Sequence, residues 1–227
     1  MFDEFLSAYN RDDIYGGRLE NRTRLYFECV DAVKANTDSG MILTTRLNAC
    51  DCFPYPYGYG VDKDNNIDLS ETKIIIEGLI EKGMELVNIT LGNPYLIPHI
   101  NRPCINSPEE GEKGLERIYK ITKELKDNFP DLNIVCSGLT FPGENAVEYA
   151  EKLLNEKVCD FAGFGRMTFA YPEFFKDYLE TGKTDKKKVC LKCSKCTELM
   201  RNGTVAGCPV RDSEVYMPYY RKFVLKK

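Results

Sequence analysis

The sequence lacks the features that mark nucleic-acid-binding, membrane and secreted proteins. Its 31 Lys and Arg residues are outnumbered by 35 Asp and Glu, which gives a formal net charge of -4 and no basic face to follow a phosphate backbone. The first residues lack the positive segment and the apolar run of a signal peptide. No later segment has the run of about 18 apolar residues that a membrane span needs. We therefore expect a cytoplasmic protein with neither nucleic-acid nor membrane partners.

The sequence also lacks a dinucleotide-binding motif and has little histidine, which restricts the catalytic chemistry that it suggests. No Gly-x-Gly-x-x-Gly fingerprint of a dinucleotide-binding unit occurs in the chain. His99 is the single histidine, and a lone histidine is more often a structural hydrogen-bonding group than a catalyst. We keep His99 as a weak catalytic candidate only.

Hydrophobic periodicity divides the chain into repeating helix and strand units. Four amphipathic segments alternate with four short apolar runs, and this order predicts a parallel sheet with helices against one face. The predicted strands are 41–46, 85–90, 133–137 and 159–164. The predicted helices cover 20–36, a segment that begins near Asp68, and segments around 115–125 and 146–154.

This order predicts an α/β fold and, more specifically, half of a (β/α)8 TIM barrel. A complete barrel needs about 250 residues, whereas this chain uses residues 1–182 for about four β/α units. Residues 183–227 form a separate cysteine-rich extension. A small open sheet of flavodoxin type is the alternative. Long loops after the strands favour the barrel, because barrels build their sites at the carboxyl ends of the strands.

The unusual residues of these strand ends suggest an anion site. Arg46 closes the first strand, where a guanidinium can hold an anionic ligand edge, although an ion pair with a carboxylate explains it equally well. Ser137 and Gly138 follow the third strand, and Gly165 and Arg166 follow the fourth. Glycines there let backbone N–H groups approach a phosphate, or else they serve only as tight turns.

Two loops rich in aromatic residues and proline, 53–60 and 92–103, follow the first and second strands. Their rings can sandwich a planar substrate or a nicotinamide, although ordinary loop packing explains any single one of them. The candidates for such a lid are Tyr55, Tyr57, Tyr59 and Tyr95. Tyr57 joins His99 as a weak catalytic candidate.

Ten cysteines in a chain without secretion signals favour a metal site over disulfides. Four of them are spaced as a metal-binding cluster, Cys190-x2-Cys193-x2-Cys196-x11-Cys208. An iron–sulfur centre, a zinc ion and unligated thiols are all compatible with this spacing. The remaining six are interpreted as small core residues: Cys29, Cys50, Cys52, Cys104, Cys136 and Cys159.

Three motifs, in this order along the chain, resemble the old yellow enzyme family of flavin-dependent reductases, which includes 2,4-dienoyl-CoA reductase. They are Arg11-Asp-Asp-Ile-Tyr-Gly-Gly-Arg-Leu-Glu-Asn-Arg-Thr-Arg24, Cys159-Asp-Phe-Ala-Gly-Phe-Gly-Arg-Met-Thr-Phe-Ala-Tyr-Pro172, and the cysteine cluster. Three departures stand out: Asn48 replaces a serine, Tyr171 replaces an aspartate, and the cluster is one residue shorter between Cys193 and Cys196.

The resemblance implies an FMN-dependent oxidoreductase that passes hydride from NAD(P)H to an enone or enoyl thioester. By the same resemblance Arg46 faces the pyrimidine edge of the flavin, and the FMN phosphate is held by Ser137, Gly138, Gly165 and Arg166. The cluster cysteines would hold a four-iron four-sulfur centre, with zinc as the alternative.

The resemblance also implies that this chain is the C-terminal half of the barrel and that a front half is missing. We therefore expect little activity from the chain alone, and open strand edges that need another chain to cover them. That chain is the front half or a second copy in a homo-oligomer. Either a separate electron-transfer partner feeds the centre, or the centre is mainly structural and the flavin takes hydride directly from a nicotinamide. The competing hypothesis is a noncatalytic metal-binding or interaction module that keeps the half-barrel for packing.

Overall fold

The computed structural model describes residues 2–226, which contain one four-stranded parallel sheet in the order β1-β2-β3-β4. The strands are β1 (Thr44–Cys50), β2 (Leu86–Leu91), β3 (Asn133–Ser137) and β4 (Phe161–Gly163). The helices are α1 (Phe2–Leu6), α2 (Leu19–Ala35), α3 (Ser70–Glu81), α4 (Pro98–Asn101), α5 (Gly111–Asn128), α6 (Ala146–Asn155), α7 (Arg166–Ala170), α8 (Phe174–Thr181), α9 (Lys195–Arg201) and α10 (Ser213–Phe223).

The strand order confirms the predicted α/β fold and decides against a flavodoxin-type sheet. Consecutive strands are neighbours throughout, as in a barrel, whereas a doubly wound sheet reverses its order at a switch point. The helices between the strands pack on one face only, where they share a single core with the sheet.

Helix α5 shows why these segments are helical. Its apolar residues recur every three or four positions, so they form one stripe, and all four predicted stripe residues are buried: Leu115, Ile118, Ile121 and Leu125. The last three of them belong to the core that the helices share with the sheet. Helix α3 begins as predicted beside Asp68, whose carboxylate accepts the backbone N–H of Ser70 at 2.9 Å.

Three strands have bounds that differ from the prediction. The second strand was predicted at 85–90, and β2 lies one residue later, at Leu86–Leu91. The first strand was predicted at 41–46, but β1 begins at Thr44, and Met41 and Ile42 are 63% and 66% exposed. The apolar run 41–43 is therefore mostly connection, and the strand continues through alternating residues to Cys50. The last strand was predicted at 159–164 and is shorter, Phe161–Gly163. Strand β3 has its predicted bounds.

The two faces of the sheet differ in chemistry. Alternation along the strands places apolar residues such as Leu47, Ile89 and Ile134 under the helices, where each is at most 2% exposed. The opposite, inner face carries Arg46 and Asn88, which occupy paired positions on β1 and β2. This inner face is only partly covered, which is unusual because parallel strands are normally buried on both faces.

The extension after residue 182 packs against helices α6, α7 and α8 through a second, smaller core. Val189, Cys190 and Cys208 of the extension share this core with Met167 of α7 and Val147 of α6. The boundary between two domains at residue 182 stays a prediction. Within residues 2–226, no helix has both the length and the apolar character needed to cross a membrane.

Candidate functional site

A cavity of about 750 Å³ lies at the carboxyl ends of the strands. The five predicted cofactor residues all line it: Arg46, Ser137, Gly138, Gly165 and Arg166. They come from three strands that are far apart in the chain, and the parallel topology brings them together. Arg46 was predicted to close the first strand, but it lies inside β1, which continues to Cys50. Their role in cofactor binding stays a prediction.

One wall of the cavity is a polar row on the inner face. The Asn88 side chain lies beside Arg46 in the β1–β2 pairing and accepts a hydrogen bond from the Ser137 hydroxyl at 2.6 Å. Asn88 was not among the predicted site residues. The sequence of β2, Leu-Val-Asn-Ile-Thr-Leu, contains a feature that could have identified it. A polar amide side chain interrupts the otherwise apolar strand at the position that pairs with Arg46.

A second part of the cavity lining is glycine backbone. Gly138 has φ +94, a conformation that other residues rarely adopt. A Cβ at Gly163 would lie 2.5 Å from the Ser137 Oγ, whereas a Cβ at Gly165 would meet nothing within 4 Å. The backbone at Gly165 is therefore open to a ligand, while Gly163 is required for the close packing of β4 on β3.

Arg166 provides the clearest sign of an anion site. Its side chain is 7% exposed, and Nη2 donates to the Pro103 carbonyl at 2.6 Å. Its other terminal nitrogen, Nη1, is buried without a hydrogen-bond partner. Buried polar groups are nearly always paired, and leaving a charged donor unpaired is costly. A phosphate oxygen in the cavity would satisfy this donor, so the residues present fit the phosphate of FMN.

The charge of the whole cavity agrees with that assignment. Arg102 and Arg201 also line it, and the lining includes neither Asp nor Glu. Burial, followed by the nearby charges of Arg166 and Arg201, lowers the pKa of Arg102. Four guanidinium groups facing one cavity in an acidic protein favour an anionic ligand. Arg102 and Arg201 lie outside the motifs, and neither was predicted.

The two weak catalytic candidates lie apart from the cavity. Tyr57 is 76% exposed on its loop, and His99 is half-buried in the short helix α4. Neither side chain lines the cavity, whereas Tyr95 does and is 79% exposed there. Of the predicted lid tyrosines, Tyr95 is thus the one placed beside the candidate site, and Tyr59 is instead fully buried in the core.

The cysteine cluster borders the same region. Cys196 in α9 lines the cavity, and Cys190 and Cys208 lie in the second core. The backbone N–H of Lys192 donates to the Cys190 Sγ at 3.3 Å, and that of Arg211 donates to the Cys208 Sγ at 3.3 Å. Such N–H···S bonds favour the thiolate form that a metal requires.

Burial works in the opposite direction, because it raises the pKa of the Cys190 and Cys196 thiols, while the charge of Arg166 lowers both. In the part of the chain from 2 to 226, no three His, Cys, Asp or Glu side chains are gathered as metal ligands. The four cysteines therefore do not form a ligand set in this conformation, and neither iron–sulfur nor zinc binding is established.

Comparison with known proteins finds relatives that are named as reductases and oxidases. No protein-family model matches the chain. A bilirubin reductase of Mediterraneibacter gnavus is 25% identical over 207 residues, which cover 91% of this chain and 30% of that protein. An NADH oxidase of Thermoanaerobacter brockii is 27% identical over 196 residues, which cover 86% of this chain and 27% of that enzyme. The chain thus spans less than a third of the length of these curated relatives.

Solved structures agree at the level of the fold. A 2-naphthoyl-CoA reductase in complex with 2-naphthoyl-CoA superimposes with a TM-score of 0.70 at 19% identity, over 96% of this chain and 30% of that one. The old yellow enzyme homologue of Zymomonas mobilis gives a TM-score of 0.51 at 20% identity, over 82% of this chain and 45% of that one. These neighbours confirm the partial-barrel architecture.

The curated relatives include proteins named as an NADH oxidase and an NADH:flavin oxidoreductase, and the solved neighbours share the partial β/α barrel of this chain. The likeness to the old yellow enzyme family predicted from the motifs is confirmed. The iron–sulfur part of that prediction is not included in this confirmation.

Proposed function

We propose that the chain binds FMN in the 750 Å³ cavity and forms part of an NAD(P)H-dependent flavin oxidoreductase that acts on activated C=C bonds. The observation that carries the proposal is the buried, unpartnered Nη1 of Arg166, placed in one cavity with the other four predicted FMN residues. The bilirubin reductase and NADH oxidase among the relatives support the reaction class. Enones and enoyl thioesters are the proposed substrates.

Each part of the cavity has a separate task in this proposal. Arg166 and the backbone at Gly138 and Gly165 bind the phosphate through charge-assisted and N–H hydrogen bonds. Arg46, held beside Asn88, contacts the electron-rich edge of the flavin ring and stabilises negative charge there. FMN, when bound, supplies the hydride chemistry, and the protein supplies binding and orientation.

The inner face of the sheet is only partly covered, and this affects what turnover requires. Arg46 is exposed, and Phe161 on the edge strand β4 is 50% exposed. A flavin lying on this face needs a second wall to exclude water. We therefore propose that turnover requires further polypeptide over this face, whether a front half of the barrel or a second copy of the chain.

A titration of the full chain with FMN and with riboflavin tests the proposal. Replacing Arg166 by Gln removes a charged hydrogen bond worth about 1.5–3 kcal/mol, so FMN affinity should fall about 10- to 100-fold. Riboflavin, which lacks the phosphate, should bind equally to both proteins. Arg24→Gln on α2, away from the cavity, is the matched control. Equal FMN affinity in wild type and Arg166→Gln would contradict the phosphate assignment.

The cysteine cluster is a separable part of the proposal. The N–H···S bonds at Cys190 and Cys208 support a four-cysteine centre, which requires the four thiols to come together on binding. Iron and zinc analysis of anaerobically purified protein, with its absorbance spectrum, distinguishes an iron–sulfur centre from zinc. A metal-loaded protein that fails to bind FMN would instead favour the noncatalytic metal-binding module.

A further inference from the structure

Two cysteines outside the cluster meet at the carboxyl end of β1. The pairing of β1 with β2 shifts register between Asn48 and Cys50, immediately before the pair. Their sulfur atoms are 3.4 Å apart, and the backbone N–H of Cys52 donates to the Cys50 Sγ at 3.1 Å. Neither residue lines the 750 Å³ cavity, so the pair is not part of the site described above.

The pair is asymmetric in exposure and in backbone conformation. Cys50 is fully buried, whereas Cys52 is half-buried and reachable from solvent. Cys52 also has φ +54, a left-handed conformation that costs a residue with a side chain about 1 kcal/mol or more. Backbone strain of this kind persists where the surrounding structure holds a functional arrangement.

The charges around the pair favour a reactive Cys52. The hydrogen bond with Cys50, and then the nearby Arg117 guanidinium, lower the pKa of the Cys52 thiol, against the effects of burial, Asp51 and Glu109. Arg117 is fixed by two hydrogen bonds to the Glu109 carboxylate, at 2.9 and 2.5 Å. Thiolate character together with access to solvent is what makes a cysteine a nucleophile.

A second close pair provides an internal contrast. Cys136 on β3 and Cys159 before β4 are also near enough to affect each other's pKa, but both lie in the main core at 0% and 3% exposure. No reagent reaches them without unfolding. Both pairs are close, so distance does not distinguish them. Cys50 and Cys52 differ from the other pair because Cys52 is half-exposed.

We propose that Cys50 and Cys52 form a redox dithiol site that exchanges with low-molecular-weight disulfides. The Cys52 thiolate attacks one sulfur of the disulfide R–S–S–R, which forms a Cys52–S–S–R mixed disulfide and releases one thiolate. Cys50 then loses its proton and attacks the Cys52 sulfur, which closes the Cys50–Cys52 bond and releases the second thiolate. The protein dithiol is oxidised by two electrons, and the small disulfide is reduced to two thiols.

The test uses the reduced full chain, incubated anaerobically with glutathione disulfide and then alkylated. Trypsin yields residues 47–63 as one peptide, which contains Cys50 and Cys52 and no other cysteine. In wild type this peptide should lose two hydrogens and resist alkylation. Cys50→Ser should instead trap glutathione on Cys52, because the resolving thiol is absent. Cys52→Ser should leave the buried Cys50 unmodified.

Cys29, on α2, is half-buried but has no cysteine partner close by, so its peptide reports the background rate of glutathionylation. The proposal is overturned if peptide 47–63 of wild type stays fully alkylatable at disulfide concentrations that modify Cys29. It is also overturned if Cys50 or Cys52 links to a different cysteine. The wild-type measurement needs no variant, so a misfolded Cys50→Ser protein would not prevent a decision.

Discussion

The two faces of the sheet show how one set of strands divides its tasks. On the outer face, residues such as Ile134 and Val87 are fully buried under helices and contribute to stability. On the inner face, Arg46, Asn88 and Ser137 keep polar groups toward a cavity and contribute little buried area. Adjacent residues of one strand thus serve opposite purposes, and substitutions on the two faces should affect different measurements.

The largest effect is expected on the outer face of β3. Ile134→Ala should lower the free energy of unfolding by about 4 kcal/mol, because it leaves a cavity in a fully buried site. Val135→Ala, the next residue, lies half-buried on the inner face and should lower it by less than about 1.5 kcal/mol. Urea unfolding of both variants measures the contrast. Equal losses would show that the inner face is also packed in solution.

The next effect concerns the end of β1, where Asp51 lies buried at 3% exposure. Burial, and then the nearby Asp3, raise the pKa of Asp51 to about 7. Since the unfolded carboxyl ionises near pH 4, wild-type stability should fall as pH rises from about 4 to about 7. Asp51→Asn should remove that loss, on the order of 4 kcal/mol at pH 8.

The measurement is the urea midpoint from pH 4 to pH 8 for wild type and Asp51→Asn. The asparagine oxygen can still accept the Tyr59 N–H that Asp51 accepts at 2.8 Å, so the loop keeps its anchor. Parallel pH profiles in the two proteins would rule out Asp51 as the titrating group.

Two neighbouring glycines separate packing from binding. Gly163→Ala places a Cβ against the Ser137 hydroxyl and should cost about 2 kcal/mol of stability. Gly165→Ala meets no neighbour and should change stability by less than about 0.5 kcal/mol. FMN affinity should nevertheless fall in Gly165→Ala, because the methyl group occupies the backbone's approach to the phosphate. Unfolding and FMN titrations of both variants test this; unchanged affinity in Gly165→Ala would move the phosphate elsewhere.

The smallest effect is expected at Arg46. Its side chain is exposed on the inner face, so Arg46→Gln should leave the free energy of unfolding within about 0.5 kcal/mol of wild type. Loss of one solvent-accessible hydrogen bond to the flavin edge should weaken FMN binding about threefold to tenfold. A drop as large as that of Arg166→Gln would mean that Arg46, and not Arg166, dominates binding.

Prediction from the sequence succeeded where the pattern is local and repeated. Strand β3 and the buried stripe of α5 follow from apolar periodicity, and β3 has its predicted bounds. The start of β1 was wrong because an apolar run, 41–43, was taken for the strand, although Met41 and Ile42 are exposed. Periodicity cannot distinguish a buried strand from a short apolar connection when the polar inner-face residues of the strand interrupt its pattern.

The candidate site was predicted only in part. The motifs indicated Arg46, Ser137, Gly138, Gly165 and Arg166, which the structure gathers around one cavity. Asn88, Arg102 and Arg201 were missed. Asn88 belongs to the site only through strand register, and Arg102 and Arg201 belong to it only because the ends of α4 and α9 border the cavity. Cys52 was interpreted as a core residue, yet it is half-buried and lies 3.4 Å from Cys50, sulfur to sulfur.

Local order along the chain was enough to establish the repeating β/α units, their parallel sheet and the likeness to flavin oxidoreductases, because periodicity and motif spacing are properties of neighbouring residues. The sequence pattern does not show which side chains share the cavity, which arginine has an unpaired buried nitrogen, or which two cysteines are in contact; these relations are visible only in the folded chain. Those relations join residues far apart in the chain or depend on a single backbone turn, and they arise only when the strands are placed side by side.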